Sequence, residues 1–261
     1  KKSLNRYLPF KKFINIGLSQ LDSIYARAKE DVVNFSELTK TDIKIMKNIK
    51  FDSRPPAGTR KRINKLKKQL KVSNHFILVA GSTRSGEEKI LLNLVEKLNY
   101  KKLILVIVPR HPERFSEVEN FFHLQNLPIV RISKLEKIAK TPKYILGDTM
   151  GDLYELYGLA TLAVIGGSIL DYGGQNPIEP MSSNIQTAVG PSIYNFKEMV
   201  SMAEKQKAIF RFQNIAELEK IIKDLINEGQ VNQNILKNAR QYIKKSSGGT
   251  DKIVRLVNQY L

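Results

Sequence analysis

Short apolar runs that alternate with helical segments dominate the chain after residue 59 and restrict its possible folds most. Residues 103–108 are six consecutive apolar residues, and residues 76–80 form a second such run. Runs of this kind are typical of strands buried on both faces of a parallel sheet. Weaker strand patterns near 129–132, 144–146 and 162–165 alternate with helices near 60–70, 87–98 and 152–157. The alternation predicts a doubly wound α/β fold with about six parallel strands between residues 72 and 212.

Composition excludes several other classes of protein. With 261 residues, 42% hydrophobic and 26% charged, the chain can bury a substantial core and is not a disordered or low-complexity protein. Its longest apolar run, residues 103–109, is far shorter than the ~20 residues of a membrane-spanning helix. The absence of cysteine excludes disulfides, thiolate metal sites and cysteine nucleophiles, and is compatible with a reducing cytoplasm.

Positive charge is concentrated at the start of the chain. The formal net charge is +18, of which residues 1–72, with 19 basic and 6 acidic residues, carry +13. Such a segment attracts polyanions, such as nucleic acid or an anionic membrane face, although a solvated lysine-rich surface is the alternative. The opening residues 1–13 mix lysines with aromatic residues, which suits a membrane surface, RNA or an interior helix, and the resemblance below favours the interior helix.

The first 60 residues have their own organisation. Apolar residues at three- and four-residue spacing predict one amphipathic helix over residues 18–38, and residues 42–50 contain a possible short strand. Two prolines and a glycine within residues 52–58 interrupt any regular element and indicate a linker.

Ligands of doubly wound sheets bind where carboxyl ends of strands meet helix N-termini, so the loops that follow the strands are candidate sites. Residues 81–86 (GSTRSG) can bring backbone N–H groups close to an anion, but a plain strand-to-helix turn is the alternative. Ser85 and Glu88 have the spacing of a capping box. Arg110 stands where a strand ends and can bind a phosphate through a bidentate guanidinium. His111 is a candidate base, although a histidine flanked by prolines is more often a structural hydrogen-bonding group.

The two later loops contain more polar and glycine residues. In residues 147–153, Asp148 or Thr149 is expected to cap the next helix and leave N–H groups near Gly151 free for a ligand. Residues 166–174 include four glycines, which implies positive φ or close backbone contact. Asn176 is expected to cap a helix that begins at Pro177. Glu179 either complements the helix dipole or accepts two hydrogen bonds from a vicinal diol such as ribose, and we favour the diol.

Five motifs, in order along the chain, resemble the lipopolysaccharide Kdo transferases (3-deoxy-D-manno-oct-2-ulosonic acid transferases). They are GSTRSGEE (81–88), LVIVPRHPERF (105–115), GDTMGDLYELYG (147–158), VIGGSILDYGGQNPIEP (164–180) and VGPSIYNFKEM (189–199). A weaker match at ARAKEDVVNFSEL and NIKFD extends the resemblance over almost the whole chain. It also implies a strand near Ile24 and a helix from Lys29, in place of the single helix.

The resemblance implies a GT-B glycosyltransferase, an α/β protein with two Rossmann-like doubly wound lobes. Residues 1–52 would be the end of the N-terminal acceptor lobe, 53–59 the linker, and 60–261 the C-terminal lobe that binds the CMP-sugar. The implied donor is CMP-Kdo and the implied acceptor a lipid A precursor. Transfer at the cytoplasmic face of the bacterial inner membrane inverts the anomeric centre, and neither a metal nor another cofactor is expected.

The resemblance also implies which residues bind the donor. Those expected to contact CMP are Pro109, Arg110, Met150, Gly151, Asp152, Asn176, Pro177, Ile178 and Glu179. The first two would contact the nucleotide, the next three would surround it, and residues 176–179 would hold its phosphate and ribose. A further set expected near the donor is Ser82, Gly167, Ser168 and Gln175.

Two features depart from the family pattern. Gln175 stands where the family usually has histidine, so a proton-transfer role at this position is in doubt. The general-base glutamate, the membrane-anchoring helix and the acceptor groove are expected in a first-lobe region that would precede Lys1, so the isolated chain is expected to be inactive.

Two other functions compete with this one. Another GT-B transferase that uses a UDP-sugar would have the same fold. A nucleic-acid-binding module would use the basic N-terminal quarter, but aromatic residues cluster only in the opening segment, so we expect no nucleic-acid partner. Under the resemblance, the positive surface suits an anionic membrane.

Overall fold

The computed structural model describes residues 2–135 and 138–259. Its helices are α1 (Lys2–Tyr7), α2 (Lys11–Leu18), α3 (Lys29–Ser36), α4 (Thr59–Leu70), α5 (Glu87–Leu98), α6 (Phe115–His123), α7 (Leu153–Tyr157), α8 (Ile178–Ser182), α9 (Lys197–Lys205), α10 (Ile215–Asn227), α11 (Gln233–Ser246) and α12 (Gly249–Val257). Its strands are β1 (Ile24–Ala26), β2 (Ile43–Ile45), β3 (Phe76–Thr83), β4 (Leu103–Pro109), β5 (Ile129–Arg131), β6 (Tyr144–Leu146), β7 (Leu162–Ile165), β8 (Gln186–Val189) and β9 (Phe210–Arg211).

The chain divides into two compact units. One is Lys1–Asp52 with Ser246–Leu261, and the other is Ser53–Lys245. Residues 246–261, which the resemblance places in the C-terminal lobe, are grouped with the first unit in the structure. The reason lies at the start of α12, where the Asp52 carboxylate accepts hydrogen bonds from the N–H groups of Gly248 and Thr250, each at 2.6 Å. The lobe roles given to these segments stay predictions.

The first unit is built around two parallel strands. β1 pairs with β2, with Ile24 opposite Ile43, and α3 follows β1. The single helix expected over residues 18–38 is therefore wrong, and the strand followed by a helix that the resemblance implies is confirmed. The spacing of apolar residues could not separate the two because β1 has only three residues.

The opening segment of this unit, from α1 to α2, exposes apolar side chains. Phe10, Phe13 and Ile16 are 65%, 80% and 63% exposed, so the described residues of the chain do not bury them. None of the helices in residues 2–135 and 138–259 has both the length and the apolarity that crossing a bilayer requires.

The second unit contains a seven-stranded, fully parallel sheet in the order β5-β6-β4-β3-β7-β8-β9. The predicted doubly wound architecture is confirmed, with seven strands instead of about six. β9 has only two residues, which is too short for an apolar pattern to reveal.

Apolar side chains cover both faces of this sheet. In β3, Leu78 and Ala80 join a core formed with α5, α6 and α10, whereas Ile77 and Val79 join a second core on the opposite face with α4 and α7. All six apolar residues 103–108 of β4 are buried in the same alternating way. This two-sided burial explains why the strands of the sequence are uniformly apolar.

The strand order fixes where a ligand can bind. Within the sheet, β4, β6 and β5 lie on one side of strand β3, and β7, β8 and β9 lie on the other side of it. The order in which strands are added therefore reverses between β6 and β7. The carboxyl ends of β3 and β7 therefore border a topological switch point, where α/β sheets bind their ligands. The loops after β3, β4, β6 and β7 all lie at this edge because every strand is parallel.

Candidate functional site at the carboxyl edge of the sheet

The glycine-rich loop after β7 is packed against the end of β3. The Gly166 N–H donates to the Gly81 carbonyl at 2.8 Å, and a Cβ on Gly166 would lie 2.3 Å from the Ser82 carbonyl oxygen. No side chain fits at Gly166 for that reason. Ser82 itself has a positive φ of 59° and lies within β3, which extends beyond the predicted strand.

Ser168 serves this packing with its hydroxyl group. The hydroxyl donates to the Ile165 carbonyl at 2.5 Å and accepts the Gly190 N–H at 2.8 Å, and the side chain is fully buried. The structure therefore gives Ser168 a role in holding the loop. Gly167, the preceding residue, has a φ of 68°, and its N–H donates to the protein rather than to open space.

The acceptor of the Gly167 N–H is Glu87, a residue that the sequence analysis did not single out. The Glu87 carboxylate is fully buried and accepts from the N–H groups of Arg84 (2.9 Å), Gly167 (2.7 Å), Ile169 (3.0 Å) and Leu170 (3.3 Å). Burial raises the pKa of Glu87, and the four N–H donors oppose that shift. One carboxylate thus ties the turn after β3 to the loop after β7. In the sequence, such a residue can be found as a glutamate directly after the glycine that joins a strand to a helix.

The predicted capping box is wrong. α5 begins at Glu87 after Gly86, and no side chain caps it. Glu88 accepts hydrogen bonds from the Thr83 hydroxyl at 2.6 Å and from Arg114 Nη1 at 2.8 Å instead. The buried ion pair with Arg114 is the reason, because it draws the carboxylate away from the helix start.

Arg110 leaves the end of β4 at the same edge. Its N–H donates to the Thr83 carbonyl at 3.0 Å, which joins the ends of β4 and β3, and its side chain is exposed. Pro109, the last residue of β4, is buried. His111 Nε2 lies 2.6 Å from Arg84 Nη1, so this nitrogen accepts a hydrogen bond within the protein, in agreement with a structural role for His111.

The loop after β6 has a fixed base and an exposed tip. The Asp148 carboxylate accepts the Ser133 N–H at 2.8 Å, the Ser133 hydroxyl, and Arg131 Nε at 2.6 Å. Burial raises the pKa of Asp148, but the Ser133 hydrogen bonds and the Arg131 charge outweigh it and leave the pKa lowered. Met150 is 67% exposed and Gly151, at φ 89°, has open space around it.

The expected cap of α7 by Asp148 or Thr149 is wrong. Asp148 is engaged by residues of the preceding segment, and α7 begins at Leu153 after Asp152 without a side-chain cap. The buried Thr149 hydroxyl has no hydrogen-bond partner among the described residues. The tip formed by residues 150–152 therefore remains available to a ligand.

The start of α8 holds the carboxylate of Glu179. Asn176 Oδ1 accepts the Ile178 N–H at 3.1 Å, and Asn176 Nδ2 donates to Glu179 Oε1 at 3.1 Å. The predicted cap is wrong by one residue, because α8 begins at Ile178 and Pro177 takes the N-cap position, although the Asn176 side chain still accepts the first helical N–H. The side chains of Pro177 and Ile178 are buried, so they can offer a ligand only their backbone.

Glu179 interacts electrostatically with Arg110. Burial raises the pKa of Glu179, whereas the Asn176 hydrogen bond and the Arg110 charge lower it. The Glu179 charge also helps to raise the pKa of the buried Tyr157 hydroxyl, and α7 packs against α8. The structure therefore brings Arg110, Asn176 and Glu179 together. The Gly147 N–H donates to the Ile107 carbonyl at 2.8 Å, so the loop that carries residues 150–152 begins beside the end of β4, the strand that Arg110 follows.

Gln175 lies beside the glycine-rich loop. Its N–H donates to the Gly166 carbonyl at 3.0 Å, and its Nε2 would lie 3.3 Å from a Cβ on Gly167. The amide is therefore at the carboxyl edge, next to the predicted donor-binding residues.

Comparison with known proteins identifies relatives of this arrangement. The chain is 28% identical over 265 residues to 3-deoxy-D-manno-octulosonic acid transferase of Haemophilus influenzae, with all of this chain and 62% of that protein covered. It is 30% identical to a bifunctional glycosyltransferase/methyltransferase of Fusobacterium nucleatum, over 90% of this chain and 37% of that protein. The chain thus spans less than two thirds of the length of these relatives. No family model matches it.

Solved structures show the same fold. The C-terminal CMP-Kdo binding domain of WaaA from Acinetobacter baumannii is 31% identical, with a TM-score of 0.67, and the match covers 72% of this chain and 99% of that one. Anabaena Alr3699/HepE in complex with UDP-glucose is 16% identical, with a TM-score of 0.59, over 91% of this chain and 64% of that one.

Proposed function

Because the chain belongs to the 3-deoxy-D-manno-octulosonic acid transferase family and has the GT-B glycosyltransferase fold, we propose that it binds CMP-Kdo at the carboxyl edge of its seven-stranded sheet. The reaction it serves is transfer of Kdo to a lipid A precursor. The observation that supports this function best is that the half-buried Glu179 carboxylate, held by Asn176 at that edge, lies close enough to Arg110 for the Arg110 charge to lower its pKa.

Each residue of the pair suits one part of CMP. The exposed Arg110 guanidinium can donate two parallel hydrogen bonds to the phosphate. The Glu179 carboxylate, oriented by Asn176, can accept hydrogen bonds from both ribose hydroxyls. Met150 and Gly151, exposed at the tip of their loop, and the half-buried Asp152 can approach the cytosine base.

The proposed chemistry is an inverting displacement. The acceptor hydroxyl attacks the anomeric carbon of Kdo, the bond from that carbon to the phosphate oxygen breaks, and CMP leaves with the bonding electrons. Arg110 stabilises the charge that develops on the phosphate. The base that takes the acceptor proton belongs, under this proposal, to a part of the enzyme outside this chain. We propose no metal, so CMP affinity should be the same with and without EDTA.

The basic helix α4 is evidence in favour of an acceptor that is bound to a membrane. On α4, Lys61, Lys65 and Lys68 are exposed and recur at three- and four-residue spacing, so they share one side of the helix. Ile63, on another side, packs into the core. We propose that this basic side contacts the anionic cytoplasmic face of the bacterial inner membrane, where each basic residue near the surface adds roughly 1 kcal/mol.

Calorimetric titration with CMP tests donor binding. Arg110→Gln and Glu179→Gln should each weaken binding about tenfold or more, since a hydrogen bond to a charged group contributes about 1.5–3 kcal/mol. Glu228→Gln, an exposed substitution after α10, is the matched control and should leave the affinity unchanged. If UDP binds more tightly than CMP, the UDP-sugar function replaces the one proposed here. Absence of CMP binding by the folded wild type would refute it.

A further inference from the structure

Within the part of the chain that the structure describes, the Arg84 guanidinium has no carboxylate partner at the carboxyl edge of the sheet. Arg114, Arg131 and Arg211 form ion pairs with Glu88, Asp148 and Glu204. For Arg84, none of the carboxylates in residues 2–135 and 138–259 lies at ion-pair distance, although the side chain is partly buried.

Neutral groups hold this guanidinium in place. Nη1 donates to His111 Nε2 at 2.6 Å, and the guanidinium carbon lies 5.0 Å from the centre of the Tyr172 ring, within cation–π distance. The Tyr172 hydroxyl donates in turn to the Ser85 carbonyl at 3.2 Å. These contacts orient the positive charge but do not neutralise it, and a bound anion would be its natural partner.

Arg84 adjoins the residues of the proposed donor site. A Cβ on Gly167 would lie 3.5 Å from Arg84 Cγ and 3.3 Å from Gln175 Nε2. The residue before Arg84, Thr83, accepts the Arg110 N–H. Arg84 and Arg110 are therefore neighbours across the ends of β3 and β4, each able to bind an anion.

We propose that Arg84 binds the carboxylate of the sugar in the donor, and so selects nucleotide-activated sugar acids over neutral sugars. This inference rests on the proposed function. A CMP-linked octulosonic acid carries two anionic groups, the phosphate and the sugar carboxylate. Arg110 is assigned to the phosphate because it lies near Glu179, the carboxylate proposed to bind the ribose of the same nucleotide, which leaves the sugar carboxylate for Arg84. His111 and Tyr172 are positioning residues for the guanidinium.

The affinities of CMP and CMP-Kdo, measured on the same variants, test this assignment. Arg84→Gln should leave the CMP dissociation constant within about twofold and raise that of CMP-Kdo about tenfold or more. Arg84→Lys, which retains the charge and most of the side-chain stem, should recover part of the loss. Arg60→Gln, on the exposed part of α4, is the control and should change neither constant.

Four results would overturn the assignment or locate its failure. An equal loss for CMP and CMP-Kdo would show that Arg84 binds the phosphate, and unchanged binding of both would show that it binds neither anion. A general loss of structure in Arg84→Gln would lower both affinities and the far-ultraviolet circular dichroism. In that case the affinities of Arg84→Lys for CMP and CMP-Kdo test the assignment. If the wild type binds neither ligand, the proposed function fails, independently of Arg84.

Discussion

Replacing Glu87 by glutamine removes half of a buried hydrogen-bond arrangement without changing the shape of the side chain. One carboxylate oxygen accepts from Arg84 and Gly167, and the other accepts from Ile169 and Leu170. Glutamine keeps one acceptor oxygen and places an NH₂ group at the other position. In either orientation, two backbone N–H groups lose their acceptor and face a donor.

The expected loss in the free energy of unfolding follows from those two N–H groups. A buried N–H without a partner costs about 1–3 kcal/mol, so two cost about 2–6 kcal/mol. The neutral amide avoids the desolvation that raises the pKa of Glu87, which brings the expected net loss to about 2–4 kcal/mol. A domain is typically stable by only about 5–15 kcal/mol, so this loss is large.

Urea unfolding followed by circular dichroism measures the loss, and amide hydrogen exchange shows where it arises. Exchange should accelerate at Gly167, Ile169 and Leu170 in Glu87→Gln. Glu198→Gln, an exposed first-turn substitution in α9, is the control and should cost less than about 1 kcal/mol through the helix dipole alone. Equal stability of Glu87→Gln and wild type, with unchanged exchange in this loop, would refute the role given to the carboxylate.

Further predictions concern the loop, the site and the membrane surface. Gly166→Ala should lower the melting temperature strongly because the added Cβ would lie 2.3 Å from backbone. The control Gly17→Ala, in open space on α2, should stabilise the chain by up to about 1 kcal/mol. Equal melting temperatures of the two variants would contradict the close packing described at Gly166. Since the pKa of Glu179 is raised above 4.5 in the folded chain, its stabilising contribution is complete below pH 4.5 and is lost as the pH rises through the folded value. Wild type should therefore lose stability relative to Glu179→Gln over this window, while its CMP affinity rises relative to that variant; parallel pH profiles would contradict this. Binding to anionic vesicles at low salt, measured by co-sedimentation, should fall when four lysines of α4 are changed to glutamine, namely Lys61, Lys65, Lys67 and Lys68. Unchanged co-sedimentation would show that these lysines are only solvated surface residues.

Much of the second unit could be predicted because its strands are buried on both faces. The apolar run of β4 and the bounds of α5 agree with the structure, since burial by neighbouring helices leaves a local pattern in the sequence. The two-residue β9 and the three-residue β1 are too short for such a pattern. In β1 the spacing of apolar residues fits a helix equally well.

The side chains that fix the loops could not be assigned from local spacing. Asp148 has the position of a helix cap, but its partner Arg131 lies 17 residues away in the sequence. Glu87 bonds to Gly167, 80 residues away, and Glu88 turns to Arg114. Such partners are set by which strands lie side by side, and no motif of a few residues contains that information.

A crystal structure of the chain soaked with CMP would show where the nucleotide binds on the sheet. We expect the phosphate against the Arg110 guanidinium, the ribose hydroxyls against the Glu179 carboxylate, and the base beside residues 150–152. A nucleotide bound at the opposite, amino-terminal edge of the sheet, with Arg110 and Glu179 untouched, would contradict this expectation.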